Sequence, residues 1–164
     1  MDGSLDIWCL YLPTGEQTKA NKTNREKLIK YIANNCEHPH QTLTILCGDS
    51  NFAQNDADRM CLHNGTLTGS KDKAEATHCQ ETLLRPLGFH ELTQDSFTYY
   101  HTIALSKIDR IYSNHHAATQ LDSNYHCSVL KHHKNLSKHC PVSFGRICSG
   151  RSFGNVYGQV VAVW

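Results

Sequence analysis

Short apolar runs alternate with polar stretches along the chain, and the runs carry two different periods. Leu5-Asp6-Ile7-Trp8-Cys9-Leu10-Tyr11-Leu12 reads as a strand stopped by Pro13-Thr14-Gly15. From Lys22 to Asn35, Leu28, Ile29, Ile32 and Ala33 recur at three- and four-residue spacing among Lys and Glu. That spacing predicts an amphipathic helix, with Thr23 or Asn24 as its cap. After Pro39, Leu43-Thr44-Ile45-Leu46-Cys47 runs without a charge into Gly48-Asp49-Ser50-Asn51. An apolar run bounded by a turn signal predicts a strand buried on both faces. Strand, helix and strand in succession predict a βαβ unit, part of a sheet covered by helices.

Beyond Asn51 the pattern weakens. Residues 52–75 are polar and predict a loop with a short helix around Ala57–His63, before a second helix from Ala74 to Leu84 halted by Pro86 and Gly88. Phe97-Thr98-Tyr99-Tyr100-His101 is β-branched and aromatic, a strand pattern. A turn around Ala104–Ser106 leads to Lys107-Ile108-Asp109-Arg110-Ile111-Tyr112, which alternates as a half-buried strand does and predicts a hairpin over Phe97–Tyr112. Ser128–Leu130 and Pro141–Phe144 read as short strands. Gly145 to Gly158 is rich in Gly and Ser, and the chain closes on Val160-Val161-Ala162-Val163-Trp164. Such a run either pairs into a sheet or stays exposed.

The end of the second strand concentrates the chemistry. Polar groups there sit where an open α/β sheet places its ligands. Asp49 can bind a cation or accept a proton, Asn51 can hydrogen-bond a phosphate or a nucleophile, and Gly48 allows close backbone approach. All three are also common turn residues, so these positions alone leave both readings open.

Composition narrows the class. A chain of 164 residues suffices for one domain with a real core, and 39% of it is apolar. No run approaches the roughly 20 residues that span a bilayer. Met1-Asp2-Gly3-Ser4-Leu5-Asp6 is acidic and lacks an apolar segment, so no signal peptide is predicted and an intracellular protein is expected. Sixteen Lys and Arg against fifteen Asp and Glu exclude a uniformly basic surface. Lys131, His132, His133, Lys134 and Lys138 do cluster locally, which general experience assigns to a solvated loop. The eight cysteines include no CxxC pair and are read as reduced thiols; the His115-His116 and His132-His133 pairs lack the four placed donors of a zinc site.

Three segments together resemble the endonuclease/exonuclease/phosphatase superfamily. Gly48-Asp49-Ser50-Asn51 resembles its Gly-Asp-x-Asn motif, and Ser106-Lys107-Ile108-Asp109-Arg110-Ile111-Tyr112 its Ser-Arg-Ile-Asp-x-Ile-[Tyr/Leu] motif. Ser137-Lys138-His139-Cys140-Pro141-Val142 resembles Ser-Asp-His-[Cys/Arg/Leu]-Pro-Val. Tyr11-Leu12-Pro13 is similar to the family's Tyr-x-Pro, and Phe97-Thr98 to its aromatic-Thr pair. The likeness covers roughly residues 5–145 and is greatest to the endonucleases of non-LTR retrotransposons.

The resemblance implies a four-layered α/β sandwich, of which residues 1–147 would form a C-terminal portion and 148–164 a Gly/Ser-rich tail. It implies Mg²⁺-dependent cutting of phosphodiesters in DNA, with RNA as the other nucleic acid to consider. By matched position, Asp49 would bind the metal or activate water, and Asn51 would hold phosphate or nucleophile. His139 would contact the scissile phosphate, Asp109 would orient its imidazole, and Tyr11 would hydrogen-bond the phosphate.

Two departures shape the expected function. The family's N-terminal half, which supplies an Asn and the principal metal-binding Glu, has no counterpart in this sequence. Lys138 stands where the motif has Asp, and an ammonium there repels Mg²⁺. The expectation is a retroelement-type DNA endonuclease, impaired or inactive in this chain unless the N-terminal half or the reverse transcriptase region of a larger polyprotein completes it. Its expected home would then be the nucleus. The alternative is a catalytically inactive remnant of a mobile-element nuclease, a half-sandwich with Trp8 and Ile45 bare on its inner face. A phosphatase of the same fold fits the Ser-x-Ile-Asp-Arg-Ile-Tyr form less well.

Overall fold

The computed structural model describes residues 5–13, 19–36, 42–114, 125–146 and 160–162. Thr14-Gly15, Pro39, the His115-His116 pair, Cys148 and most of the Gly/Ser-rich tail lie outside them.

Strand β1 (Leu5–Tyr11) runs parallel to β2 (Leu43–Asp49), with Leu5 beside Leu43 and Tyr11 beside Asp49. Helix α1 (Lys19–Asn35) makes the crossover. Every residue of β2 after Leu43 is buried, as its uncharged run predicts for a strand covered on both faces. Gly48 is required by this packing: its φ is +150°, and a Cβ there would lie 1.8 Å from the Leu10 carbonyl oxygen of β1. The close approach is to the neighbouring strand.

Helix α1 starts earlier than predicted, so Thr23 and Asn24 lie within it and do not cap it. Its buried stripe is Arg25, Ile29, Ile32 and Cys36, while Leu28 is exposed. Arg25 belongs there because its guanidinium pairs with Glu75 and donates to the Pro13 carbonyl at 3.0 Å. Glu75 lies on α2 (Lys73–Cys79), which continues through a π turn at Gln80–Leu84 as one helical stretch. These helices cover one face of the sheet, burying Leu10, Leu12, Leu46, Leu83 and Phe89 between them.

Residues 57–63 do not form the predicted short helix. A 3₁₀ turn at Asp56–Asp58, in which the Asn55 N–H donates to the Asp58 carboxylate at 2.7 Å and the Asp58 N–H to the Asn55 carbonyl at 3.0 Å, gives way to strand β3 (Arg59–Cys61). Farther along come β4 (His90–Glu91), β5 (Tyr99–Tyr100), β6 (Ala104–Ser106) and β7 (Asp109–Ser113). The hairpin partner of β5 is β6, in the segment read as a turn; β7 leaves for the first sheet, antiparallel to β2. Thr98 is the reason. Its Oγ1 accepts the N–H groups of both Ile108 and Asp109 at 3.1 Å, which ends the hairpin ladder at Ser106 and releases Asp109 to start a new strand. Strand β7 is buried along its whole length, where alternation predicted half-burial. Its charged residues are neutralised from afar: Asp109 by His139, Arg110 by Asp58 and Glu91.

The first sheet has the order β1-β2-β7-β4, and a small sheet has the order β3-β6-β5. Strands β8 (Tyr125–Val129), β9 (Val142–Arg146) and β10 (Val160–Ala162) form a further antiparallel sheet. Val160–Ala162 of the closing apolar run are thus paired, Val160 opposite Phe144. Cys127, Val142 and Phe144 of that sheet close over Ile45, Cys47 and Ile111. Ile45 is therefore covered, only 4% exposed, and Trp8 packs against the helix-side core. The bare positions are Ile7 and Tyr11, 49% and 57% exposed, with Cys9 between them. Alternation along β1 turns these three to the second-sheet side, but the cover reaches only β2 and β7. Among the described residues the layers run helix, sheet, sheet.

Candidate active site

Strands β2 and β7 bring two acids together. Asp49 ends one strand, Asp109 begins the other, and the antiparallel register sets them directly opposite. Both are almost wholly buried, 1% and 0% exposed. Like charges facing each other across a ladder repel, so this arrangement needs positive charge nearby.

His139 supplies some. Its Nδ1 lies 2.9 Å and 3.0 Å from the two carboxylate oxygens of Asp109, and its Nε2 lies 4.0 Å from Asp49 Oδ2. Pairing with a carboxylate places a proton on Nδ1 and turns Nε2 toward Asp49 and the opening. The Tyr99 ring stands 4.7 Å from the imidazole, tilted 56°. The hydrogen bond from Asp109 raises the imidazole pKa above its usual value; burial opposes this, and the charges of Asp109 and Asp49 add to the rise. Burial and the charge of Asp109 push Asp49 up to about 6, against the opposing N–H of Asn51, the charge of His139 and the Asn51 side chain.

Asn51 completes the strand end. It is a non-glycine residue with φ +54°, a conformation Asn tolerates because its side chain bonds locally. Its N–H donates to Asp49 Oδ1 at 2.8 Å, and its Nδ2 donates to Asp49 Oδ2 at 2.9 Å and to the Leu12 carbonyl at 2.6 Å. An observed backbone outlier at a cluster of charged groups is a recognised mark of a site that stores strain for a purpose. Tyr11 lies beside Asp49 in the β1–β2 register with its ring exposed. The structure thus gathers Asp49, Asn51, Asp109 and His139 into one cluster, with Tyr11 at its rim.

Other residues hold the cluster without belonging to it. Ser50 Oγ donates to the Ile108 carbonyl at 2.8 Å, and Gln94 Nε2 donates to the Asp109 carbonyl at 2.6 Å. Thr98 fastens both halves. Its hydroxyl holds the Asp109 N–H, and its carbonyl accepts the Cys140 N–H at 2.7 Å, one residue from His139. The only hint in the sequence was the Phe97-Thr98 pair, whose role no local pattern discloses. Thr98→Val should cost about 2–3 kcal/mol in urea unfolding, because two buried N–H groups lose their acceptor. Thr98→Ser should stay near wild type; equal losses in the two variants would refute the hydroxyl's role.

One ligand atom each from Asp49, Asp109 and His139 lie within 4.8 Å of one another. Two buried carboxylates facing each other favour positive charge between them, and oxygen donors suit a hard divalent ion. Both Asp109 oxygens face His139, so Asp49 is the carboxylate available to such an ion. Lys138, in the place of the motif's Asp, is exposed, and its carbonyl accepts the Tyr100 N–H at 2.9 Å.

These strands and helices define a mixed α/β sandwich with an acid–histidine cluster at the ends of its central strands. Solved structures share its architecture. An AP endonuclease from Archaeoglobus fulgidus superposes with a TM-score of 0.59 at 17% identity, over 84% of this chain and 60% of its own. The 3'-5' exonuclease NExo from Neisseria meningitidis does so with a TM-score of 0.61 at 16% identity, over 85% of this chain and 60% of its own. The chain has the endonuclease/exonuclease/phosphatase fold, as a fragment spanning about 60% of the length of these structures. No protein-family model and no curated protein matches it.

Proposed function

We propose that this chain carries part of a metal-assisted, retroelement-type endonuclease site that hydrolyses phosphodiesters in nucleic acid, DNA first. The observation that carries this reading is the Asp109–His139–Asp49 alignment, 2.9 Å and 4.0 Å apart at successive steps, at the buried end of the sheet. Asp109 holds the imidazole in one orientation and favours its charged form. The His139 Nε2 proton then faces outward, where it can donate to a phosphate oxygen as negative charge grows there. Asn51, locked in its turn, fixes the Asp49 carboxylate, which is left to orient a water or to hold a divalent cation. Mg²⁺ bound at Asp49 and Asn51 would neutralise phosphate charge during in-line attack. Tyr11, beside Asp49 in the register with its ring exposed, would offer its hydroxyl to the same phosphate.

A second reading has its own support. Asp49 is the one carboxylate of the pair that His139 Nδ1 does not engage, and one carboxylate seldom holds Mg²⁺ unaided. The chain also spans only about 60% of its structural neighbours. An inactive remnant, or a half-site completed by another polypeptide, fits both facts. Nicking of supercoiled plasmid with Mg²⁺ decides, run on wild type, His139→Ala and Asp49→Ala. Nicking by wild type, with a loss of at least about 10²-fold in either variant, supports the nuclease reading. No nicking, or equal nicking by all three, supports the remnant.

A further inference from the structure

The surface around His139 differs in charge from the rest of the chain. Lys and Arg nearly balance Asp and Glu overall, sixteen to fifteen, yet residues 125–146 contain no Asp or Glu, and neither do residues 96–108. These two stretches touch. Tyr99 bridges to His139, the Tyr100 N–H donates to the Lys138 carbonyl at 2.9 Å, and the Tyr100 ring stacks on His132 at 4.6 Å and 17°. Together they make a carboxylate-free flank on one side of the acid–histidine cluster.

Within that flank residues 130–138 form a shaped loop. The Leu130 N–H donates to the Pro141 carbonyl at 2.8 Å, the Leu136 N–H to the His133 carbonyl at 2.9 Å, and His132 Nε2 bonds the Ser137 carbonyl at 2.8 Å. Its internal needs are met by its own backbone and the His132 ring. What it turns outward is Lys131, His133, Lys134 and Lys138, with Leu136 85% exposed among them. A cluster of ammonium groups with no carboxylate in its own stretch of chain holds an uncompensated positive field, which a polyanion relieves with release of its counterions.

We infer that residues 130–138 are a docking surface for the sugar–phosphate backbone of the strand that passes His139, with Lys131 and Lys134 pairing phosphates beyond the scissile one. The inference rests on the proposed nuclease reading for the nature of the polyanion, but not for the existence of the surface. Contacts of this kind position a strand without reading its sequence. The loop then sets which length of nucleic acid is engaged, while the Asp49–Asp109–His139 cluster acts on one bond.

The test is equilibrium binding of a fluorescein-labelled 20-base-pair duplex, by anisotropy in EDTA, across a salt series. Lys131→Gln/Lys134→Gln should bind at least about tenfold more weakly and lower the slope of log K against log salt by roughly 1.8. Lys27→Gln/Lys30→Gln, on α1 across the sheet, should match wild type. An unchanged slope in the loop variant, or an equal fall in both variants, overturns the inference. Tighter loop-dependent binding to phosphatidylserine vesicles than to the duplex overturns it in favour of a membrane surface. Hydrolysis of bis(p-nitrophenyl) phosphate with Mg²⁺ tests the cluster separately, since that small diester cannot reach the loop. Loop-dependent duplex binding without diester hydrolysis would keep the docking surface and remove the nuclease reading.

Discussion

Arg110→Met should cost the folded chain about 3–5 kcal/mol, lowering Tm by roughly 10 °C in a metal-free melt. Arg110 is 2% exposed and is the hub of a buried ion cluster. Its Nη2 donates to Asp58 Oδ2 at 2.7 Å and to the Lys107 carbonyl at 2.9 Å, while its Nη1 pairs with Glu91. Methionine fills similar space but leaves Asp58 facing an apolar wall with its charge uncompensated. Asp58 Oδ2 still accepts the N–H groups of Gln54 and Asn55, so it cannot simply turn away. Adding Asp58→Asn to the same variant should restore much of the loss, because the buried charge goes with its partner. A single variant as stable as wild type would show that the cluster is solvated in practice and fastens nothing. The consequence reaches the site through the chain itself: Arg110 follows Asp109 and ties down the Lys107 carbonyl, so loosening it frees the turn that aims Asp109 at His139.

That cluster also explains where sequence reading stopped. Local pattern disclosed β1, α1, β2 and the second helix, because each buries a stripe or a run visible within a dozen residues. It failed at β7, whose alternation of apolar and charged side chains looked half-buried. Arg110 is paid for by Asp58 and Glu91, 52 and 19 residues away, and no window of sequence contains that pairing. Arg25, buried against Glu75 50 residues on, was hidden in the same way. The hairpin boundary failed for a related reason, since one hydroxyl on Thr98 cuts the ladder at Ser106. The structure brings Asp109 and His139 into contact although they are 30 residues apart. Their pairing came from motif resemblance, which stores a long-range contact that periodicity cannot. Gly48 was flagged for close approach, but only the structure shows that the approaching group is the Leu10 carbonyl.

The metal-free chain should lose stability as pH rises from about 5 to about 8, against the trend usual for buried carboxylates. Asp49 has its folded pKa raised from 3.8 to about 6 by burial and by the charge of Asp109. A raised carboxyl favours folding while protonated, so its contribution is complete below 3.8 and is lost as pH passes through about 6. His139 is raised above its ordinary value of 6.5, mainly by its hydrogen bond to Asp109. Its contribution is complete below 6.5 and is lost as pH climbs through the higher folded value. Both groups therefore push the same way. Thermal melts in EDTA across this range should slope downward, and Asp49→Ala should flatten the first part of the fall. Mg²⁺ or Mn²⁺ at millimolar concentration should raise Tm more at pH 8 than at pH 5, since protons compete with the ion for Asp49. A flat profile in wild type would mean that the two acids do not feel each other across the β2–β7 register. A downward slope that neither ion reverses would mean that the repulsion is real but that the half-site, as this chain presents it, does not bind the cation by itself.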